Sequence, residues 1–434
     1  MPYSNSVRQT PRVIQDGPAG GLERPPRNGK PDMQDHSPLA SRPSDGPKPA
    51  PAKASPKGRA TSNYFVETIT TEQRFESIAN DWNRLSATAE FPNVFMTFDW
   101  FRAWNQRFAR EDRSGQRRLN VLVLKKDGCI VGVAPLIRWK VSRFGISGRK
   151  MEFVGREADY NDLVLGNDPA GQTEAIVEFL AQTQNEWDMV NLRFLRETGN
   201  SLGVTEHALS NAGLTYRIVP EEERCPYMPI DAPSSELISR RSRPARHTLQ
   251  KQQRRLKRMS PGGLRVRIIE EPQKEPGLLE KLIALERQKK VGGKRVDSWL
   301  ARYPEVFQSL FSGLGSRGWI RVALMELGDL PVAWVWAFRC GKKLWGYNRG
   351  FNASFSRLSP GTILDTALID YAFSHGYEEY DFLRGEEAYK RQWCTSIHQS
   401  YWLRIWSRNW IPRLHALVYL DLKPAFRRLL GRSV

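Results

Sequence analysis

The sequence predicts a mixed α/β protein with largely antiparallel sheets and flanking helices. Two observations carry this prediction: strand pairs closed by tight Gly-containing turns occur in both halves of the chain, and a strand, helix, strand run stretches from Trp345 to Trp393. A third is that strands at Leu119 to Arg138 and at Ile320 to Arg339 occupy matching places in the two halves, which points to a duplicated plan. The chain has 434 residues, 40% of them hydrophobic and 14 of them Trp, which is enough material for two or three buried cores.

Residues 1–62 read as a disordered tail. The first 60 residues hold twelve of the chain's 28 prolines and one aromatic residue, Tyr3, so they bury too little apolar surface to offset the entropy of ordering. A first domain is expected over 63–223. It opens with a strand at Phe65 to Thr68, a helix at Thr71 to Leu85 and an aromatic-rich helix at Thr97 to Phe108. Leu119 to Leu124 and Cys129 to Ile137 flank Lys126-Asp127-Gly128, a hairpin turn with Asp-Gly at its centre. A helix at Ala175 to Gln184, a strand at Met189 to Phe194 and a helix at Thr205 to Ala212 complete this half.

A second domain is expected over 224–408: a strand near Tyr227 to Ile230, a basic helix over 237–259, a strand at Leu264 to Ile269 and helices to about Ser316. A three-stranded meander follows at Trp319 to Leu327, Val332 to Cys340 and Leu344 to Phe351. In the next helix Ser359 stands at the N-cap and Pro360 at the first helical position. Gly361 and Thr362 then offer free amides, apolar residues recur from Ile363 to Ala372, and Gly376 supplies the stop. The strand Tyr380 to Leu383 then runs into Arg384-Gly385-Glu386-Glu387-Ala388-Tyr389-Lys390, a cluster of ionisable groups at a strand's C-terminal end, where open α/β sheets bind ligands. Residues 409–434 form a basic amphipathic segment that suits an anionic membrane face or packing on the second domain.

Net charge is +19. The tail contributes +5, from ten Lys/Arg against five Asp/Glu, and leaves +14 for the rest, so anionic partners are expected. From Leu237 to Ile269 there is no acidic residue and there are eleven Lys/Arg. Nucleic acid, phospholipid and acidic glycan all fit such a helix, as does a solvated face packed by Ala245, Leu249, Leu256 and Met259. Cys129, Cys225, Cys340 and Cys394 lack the spacing of a disulfide framework or a zinc site, the histidines are scattered, and the P-loop signature is absent. No metal is expected. With no window near the roughly 18 apolar residues of a spanning helix, the expected place is the cytoplasm, with the inner membrane face as a peripheral option.

The run YDFLRGEEAYKRQW, preceded by RLSPG and a helix, resembles the CelD-like acetyltransferase branch of the GNAT superfamily, whose members occur in bacterial polysaccharide biosynthesis. PNVFMTFDWFRAW, LNVLVLKKDGCIVGVAPLIR and FVGREADYNDLVL carry weaker likenesses, so the resemblance covers nearly everything after about residue 64. It implies two tandem GNAT-like domains with acyl-CoA, such as acetyl-CoA, bound in the second. The coenzyme A diphosphate would lie on the helix start at Ser359, Gly361 and Thr362, with Arg357 gripping phosphate oxygens. This chain places three residues between Arg357 and Gly361 where the family places two before its Gly. Tyr389 is implied as acid for the departing thiolate and Lys390 as a contact to an anionic substrate or cofactor. Asp381, Glu386 and Glu387 are candidates for the base, with Arg384 as a substrate contact. Asp381 equally suits capping the Arg384-Gly385 turn, and Glu386 with Lys390 an exposed i,i+4 pair.

The function expected is acyl-CoA-dependent N- or O-acyl transfer to an amine or hydroxyl of a polysaccharide or cell-envelope precursor. Two alternatives stay open: a Fem-type transferase using aminoacyl-tRNA, and a non-catalytic scaffold docking at a membrane or polysaccharide synthase.

Overall fold

The computed structural model describes residues 63–409 and 412, apart from 90, 113–114, 144–145, 155–156, 198–201, 260–262, 288–289, 292–293 and 296–298. The expected tail at 1–62 and nearly all of the basic segment at 409–434 lie outside the described residues.

The strands, in chain order, are β1 (Phe65–Ile69), β2 (Arg117–Leu119), β3 (Val121–Lys126), β4 (Cys129–Ala134), β5 (Leu136–Arg143), β6 (Ile146–Phe153), β7 (Val164–Leu165), β8 (Met189–Arg196) and β9 (Thr215–Pro220). The second half adds β10 (Cys225–Pro229), β11 (Leu264–Ile269), the short pair β12 (Lys290–Val291) and β13 (Lys294–Arg295), β14 (Ile320–Leu327), β15 (Leu330–Cys340), β16 (Lys343–Phe351), β17 (Glu379–Asp381), β18 (Ser396–His398) and β19 (Ser400–Trp406). The helices are α1 (Glu72–Ser77), α2 (Ala79–Thr88), α3 (Phe98–Glu111), α4 (Pro169–Gln182), α5 (Leu202–Asn211), α6 (Ser234–Ser239), α7 (Arg243–Met259), α8 (Leu278–Arg287), α9 (Trp299–Arg302), α10 (Pro304–Ser316) and α11 (Pro360–Ser374).

Among the described residues four sheets organise these elements: β1-β3-β4-β7, β2-β5-β6-β8-β19-β9, the seven-stranded β11-β14-β15-β16-β17-β10-β18, and the small β12-β13 pair. Most pairings are antiparallel, as expected for short turns such as Asp127-Gly128 between β3 and β4, where both residues take positive φ. Each half nevertheless contains one parallel pair closed by a crossover helix. β6 and β8 pair over Lys150–Glu152 with Met189–Asn191, with α4 between them in sequence. β16 and β17 pair over Lys343–Trp345 with Glu379–Asp381, connected by α11. The repeated plan read from the sequence is therefore present in the topology.

The structure differs from the sequence reading in several places; the strand expected at Cys129 to Ile137, for one, breaks at Pro135 into β4 and β5, which belong to different sheets. The single helix expected at Thr71 to Leu85 breaks at Ile78 into α1 and α2, with Thr71 capping the first through its side-chain oxygen. The basic helix expected over 237–259 is two helices, α6 and α7. β6 lies where no strand is expected, because Gly148, Arg149 and Lys150 interrupt its apolar alternation. β19 crosses into the first half and pairs with β8 and β9, so the division near 223 does not separate the two sheets.

One core fills the space between the first-half sheet and helices α4 and α5, and another lies under α11. A third, largest core joins the halves. There the aromatic face of α3 meets the second-half sheet: Trp100 against Phe338 (6.1 Å) and Tyr347 (5.6 Å), with Phe95 of the preceding turn stacked on Trp345 (5.5 Å). A non-polar seam of this kind holds the two halves, as far as the described residues go, in one compact unit.

Candidate active site

β16 and β17 separate after three residue pairs. Beyond Trp345 and Asp381, β16 continues to Phe351 with its other edge on β15, while the chain after β17 turns away through Leu383, whose φ is +57°. An extra residue in β16, Tyr347, bulges the β15–β16 ladder where the strands part. Gly346 sits at this fork because a Cβ there would lie 2.8 Å from the Tyr380 hydroxyl. The result is a wedge between two strands that no longer pair with each other, with α11 rising from its rim.

The start of α11 is open. Ser359 adopts a left-handed conformation (φ +47°) and its side chain makes no cap; Gln252 of α7 instead donates to Ser359 Oγ at 3.2 Å. Pro360 has no N–H. The Thr362 amide is taken by the Ser359 carbonyl (3.0 Å), so the half-buried Gly361 carries the amide that has no acceptor among the described residues, with no atom within 4 Å of where a Cβ would stand. Arg357 is exposed in the preceding 3₁₀ turn. The equivalent helix of the first half is closed: Asp168 accepts the Gly171 amide (3.0 Å) and the Tyr64 hydroxyl (2.7 Å). The Tyr64 hydrogen bond, joined by the Gly171 amide, lowers the Asp168 pKa and keeps it a carboxylate. An anion is welcome at the tip of α11 and repelled at that of α4.

Inside the wedge, Arg349 pairs with the fully buried Asp365 (3.0 Å) and lies over the Tyr389 ring at 4.2 Å. Burial pushes the Tyr389 phenol up from its ordinary value, against the pull of Arg349. Lys390 is buried, and its Nζ donates to the Leu383 and Arg384 carbonyls (3.1 and 2.7 Å) and to Glu387 (2.9 Å). It satisfies the carbonyls that β17 leaves unpaired, so its ammonium faces the loop and not a ligand. The i,i+4 pair expected between Glu386 and Lys390 does not form; Glu386 is exposed and pairs with Arg224 at 3.2 Å.

Asp381 is fully buried. Its Oδ1 accepts the Leu383 amide (2.7 Å), so it caps the turn after β17, and its Oδ2 accepts the Tyr160 hydroxyl from the first half (2.7 Å). Burial raises its pKa. Glu379 and His398 stand beside it, and one ligating atom from each of the three falls within 4.8 Å of the others. Glu379 is already bound to Lys343 (2.9 Å) and His398 (3.1 Å), and these hold its carboxyl low although burial opposes them. That trio is thus occupied by protein partners.

Arg384 reaches across to the first half, with Nε 3.0 Å from Asp159 and 3.3 Å from Glu223. Burial lifts Asp159 to about 6 in spite of Arg384. A cavity of about 430 Å³ opens beside this pair, in the parting of β6 and β8, and Arg384 is one of its walls. Sequence reading singled out Arg384 but neither Asp159 nor Tyr160. Both lie within FVGREADYNDLVL, and their partners are more than 200 residues away.

Residues 243–391 match the model of the acetyltransferase (GNAT) domain. Among solved structures, the chain resembles FemX (12% identity, 75% of this chain and 95% of that one, TM-score 0.50). It also resembles a conserved protein of unknown function from Bacteroides thetaiotaomicron (8% identity, 78% and 100%, TM-score 0.51). At these identities the likeness is one of fold. No curated protein matches. The matched region contains the wedge, α11 and Arg384, so the part of the chain that holds them is similar to the acetyltransferase domain of the GNAT superfamily. The chain is an enzyme of the acyltransferase class.

Proposed function

We propose that the protein transfers an acyl group from acyl-CoA to an amine or hydroxyl of a polysaccharide or cell-envelope precursor, in the CelD-like manner. The observation that carries this reading is the wedge between β16 and β17 with the uncapped tip of α11 at its rim. The residues present fit the cofactor: Gly361 and Arg357 would hold its diphosphate, and unpaired β16 backbone beyond Trp345 would line its arm. Bound there, acyl-CoA supplies the acyl carbon; the acceptor's N or O bonds to it, the C–S bond breaks, and the acceptor proton ends on the coenzyme A sulfur.

Tyr389 is the phenol at the wedge, with Arg349 beside it to stabilise phenolate character. Asp381 acts through Tyr160, since both of its oxygens are engaged, and Asp159, beside the cavity, is a carboxyl that burial raises to about 6. Isothermal titration with acetyl-CoA tests the reading. Saturable binding that is lost in Arg357→Glu supports it, and no binding of acetyl-CoA or longer acyl-CoAs defeats it.

A second reading rests on α7. Arg243, Lys251, Arg254, Arg255 and Arg258 are exposed there and have no carboxylate partner among the described residues. Such a face suits an aminoacyl-tRNA donor or an anionic membrane surface. Tight tRNA binding that falls steeply with salt, in the absence of acyl-CoA binding, selects it.

A further inference from the structure

The two halves share one plan but have divided its uses. In the second, the helix tip is open to an anion. In the first, Asp168 fills the tip, and the parting of β6 and β8 is the 430 Å³ cavity. This volume is that of a small-molecule site at a domain interface. We infer that the cavity is the acceptor site and that it takes a pyranose ring, as a plain or an amino sugar.

The lining decides the class. Trp139 and Trp299 are aromatic walls of the cavity, and Trp299 stands half exposed at 47%, whereas the Phe194 ring is covered by Arg384 at 4.1 Å. An aromatic face suits the C–H face of a sugar ring. The charges around it are already matched: Lys150 lies 2.7 Å from Glu152, Arg193 Nε donates to Glu221 at 2.9 Å, and Arg384 is held by Asp159 and Glu223. Among the described residues that line the cavity, every cation is paired with a carboxylate, so an anionic ligand finds no spare counter-charge in the lining, whereas hydroxyls find planar carboxylates and amides on several sides.

The cavity also meets the wedge. Arg384 follows β17 directly, and the Tyr347 hydroxyl at the β16 bulge donates to the Glu157 carbonyl on the cavity's rim at 3.5 Å. A ring in the first half would therefore present its hydroxyl or amine towards the second. The transfer of an acyl group to that sugar rests on the acyltransferase reading; the binding of the sugar does not.

Saturation-transfer NMR on the full chain tests this with three probes: methyl β-D-glucopyranoside, D-glucosamine and Nα-acetyl-lysine amide. At least one sugar should bind. Trp299→Ala and Trp139→Phe should each weaken it by about 3- to 10-fold while acetyl-CoA affinity is unchanged. Preference for glucosamine assigns an amine acceptor and preference for the glucoside a hydroxyl. The inference fails if neither sugar binds, if both variants bind the sugar as the wild type does, or if the lysine amide binds as well as the sugars. Sugar binding without acetyl-CoA binding would retain the site and remove the acyltransferase reading.

Discussion

Replacing Gly361 by Asp separates an anion-binding helix tip from an ordinary one, because it moves stability and binding in opposite directions. Gly361 does not take a positive φ, and no atom lies within 4 Å of where a Cβ would stand, so the new side chain meets no clash. Removing a glycine restricts the unfolded chain, worth about 0.4–1 kcal/mol, and a carboxylate in the first turn gains about 0.3–1 kcal/mol from the helix dipole. Thermal unfolding should therefore stay level or rise slightly. The same carboxylate would stand where the diphosphate must sit. Two unit charges about 4 Å apart repel by about 1 kcal/mol in water and about 4 kcal/mol near a protein surface, which is roughly 5- to 1,000-fold in affinity. Calorimetry with acetyl-CoA at low and high salt reads this directly. The loss should shrink as salt rises. Unchanged acetyl-CoA affinity in a folded Gly361→Asp protein would refute the assignment of the diphosphate to this helix.

Arg349→Met leaves Asp365 buried without its ion-pair partner and should cost about 3–5 kcal/mol in urea unfolding, with much of it recovered in the double variant Arg349→Met/Asp365→Leu. Lys390→Met orphans two carbonyls and should lower stability by about 2–3 kcal/mol, yet the protein that remains folded should bind acetyl-CoA within about threefold of the wild type. Asp159, with its pKa raised by burial from 3.8 to about 6, gives stability that is full below about pH 4 and is lost as pH rises through 6. Relative to Asp159→Asn, wild type should lose about 3 kcal/mol between about pH 3 and 7, about 2 kcal/mol of it between pH 4 and 6, and a flat difference across that window would contradict the raised pKa.

Much of the second half was legible because its signals are local. Ser359-Pro360 starts α11 and Gly376 follows its end, and the meander is punctuated by Gly328 and Gly341, both at positive φ. The strand–helix–strand unit and the ionisable turn after it follow from such marks. What escaped depends on contacts distant in sequence. Ser400–Trp406 has no local feature that says it will insert between β8 and β9. Lys390 reads as a reactive cation on a polar turn, but its neighbours Leu383 and Arg384 turn their carbonyls inward and claim it. Ser359 has the residue type of a cap, but its left-handed backbone aims the hydroxyl at Gln252, 107 residues earlier. Asp159 gains its high pKa only when the two halves close on Arg384.

The most direct measurement is a crystal structure of the chain with acetyl-CoA. Diphosphate oxygens should lie about 3 Å from the Gly361 amide, within reach of Arg357, and the thioester should sit between β16 and β17 facing Tyr389. Coenzyme A seated instead between β6 and β8, or a start of α11 left untouched by phosphate, would contradict the account.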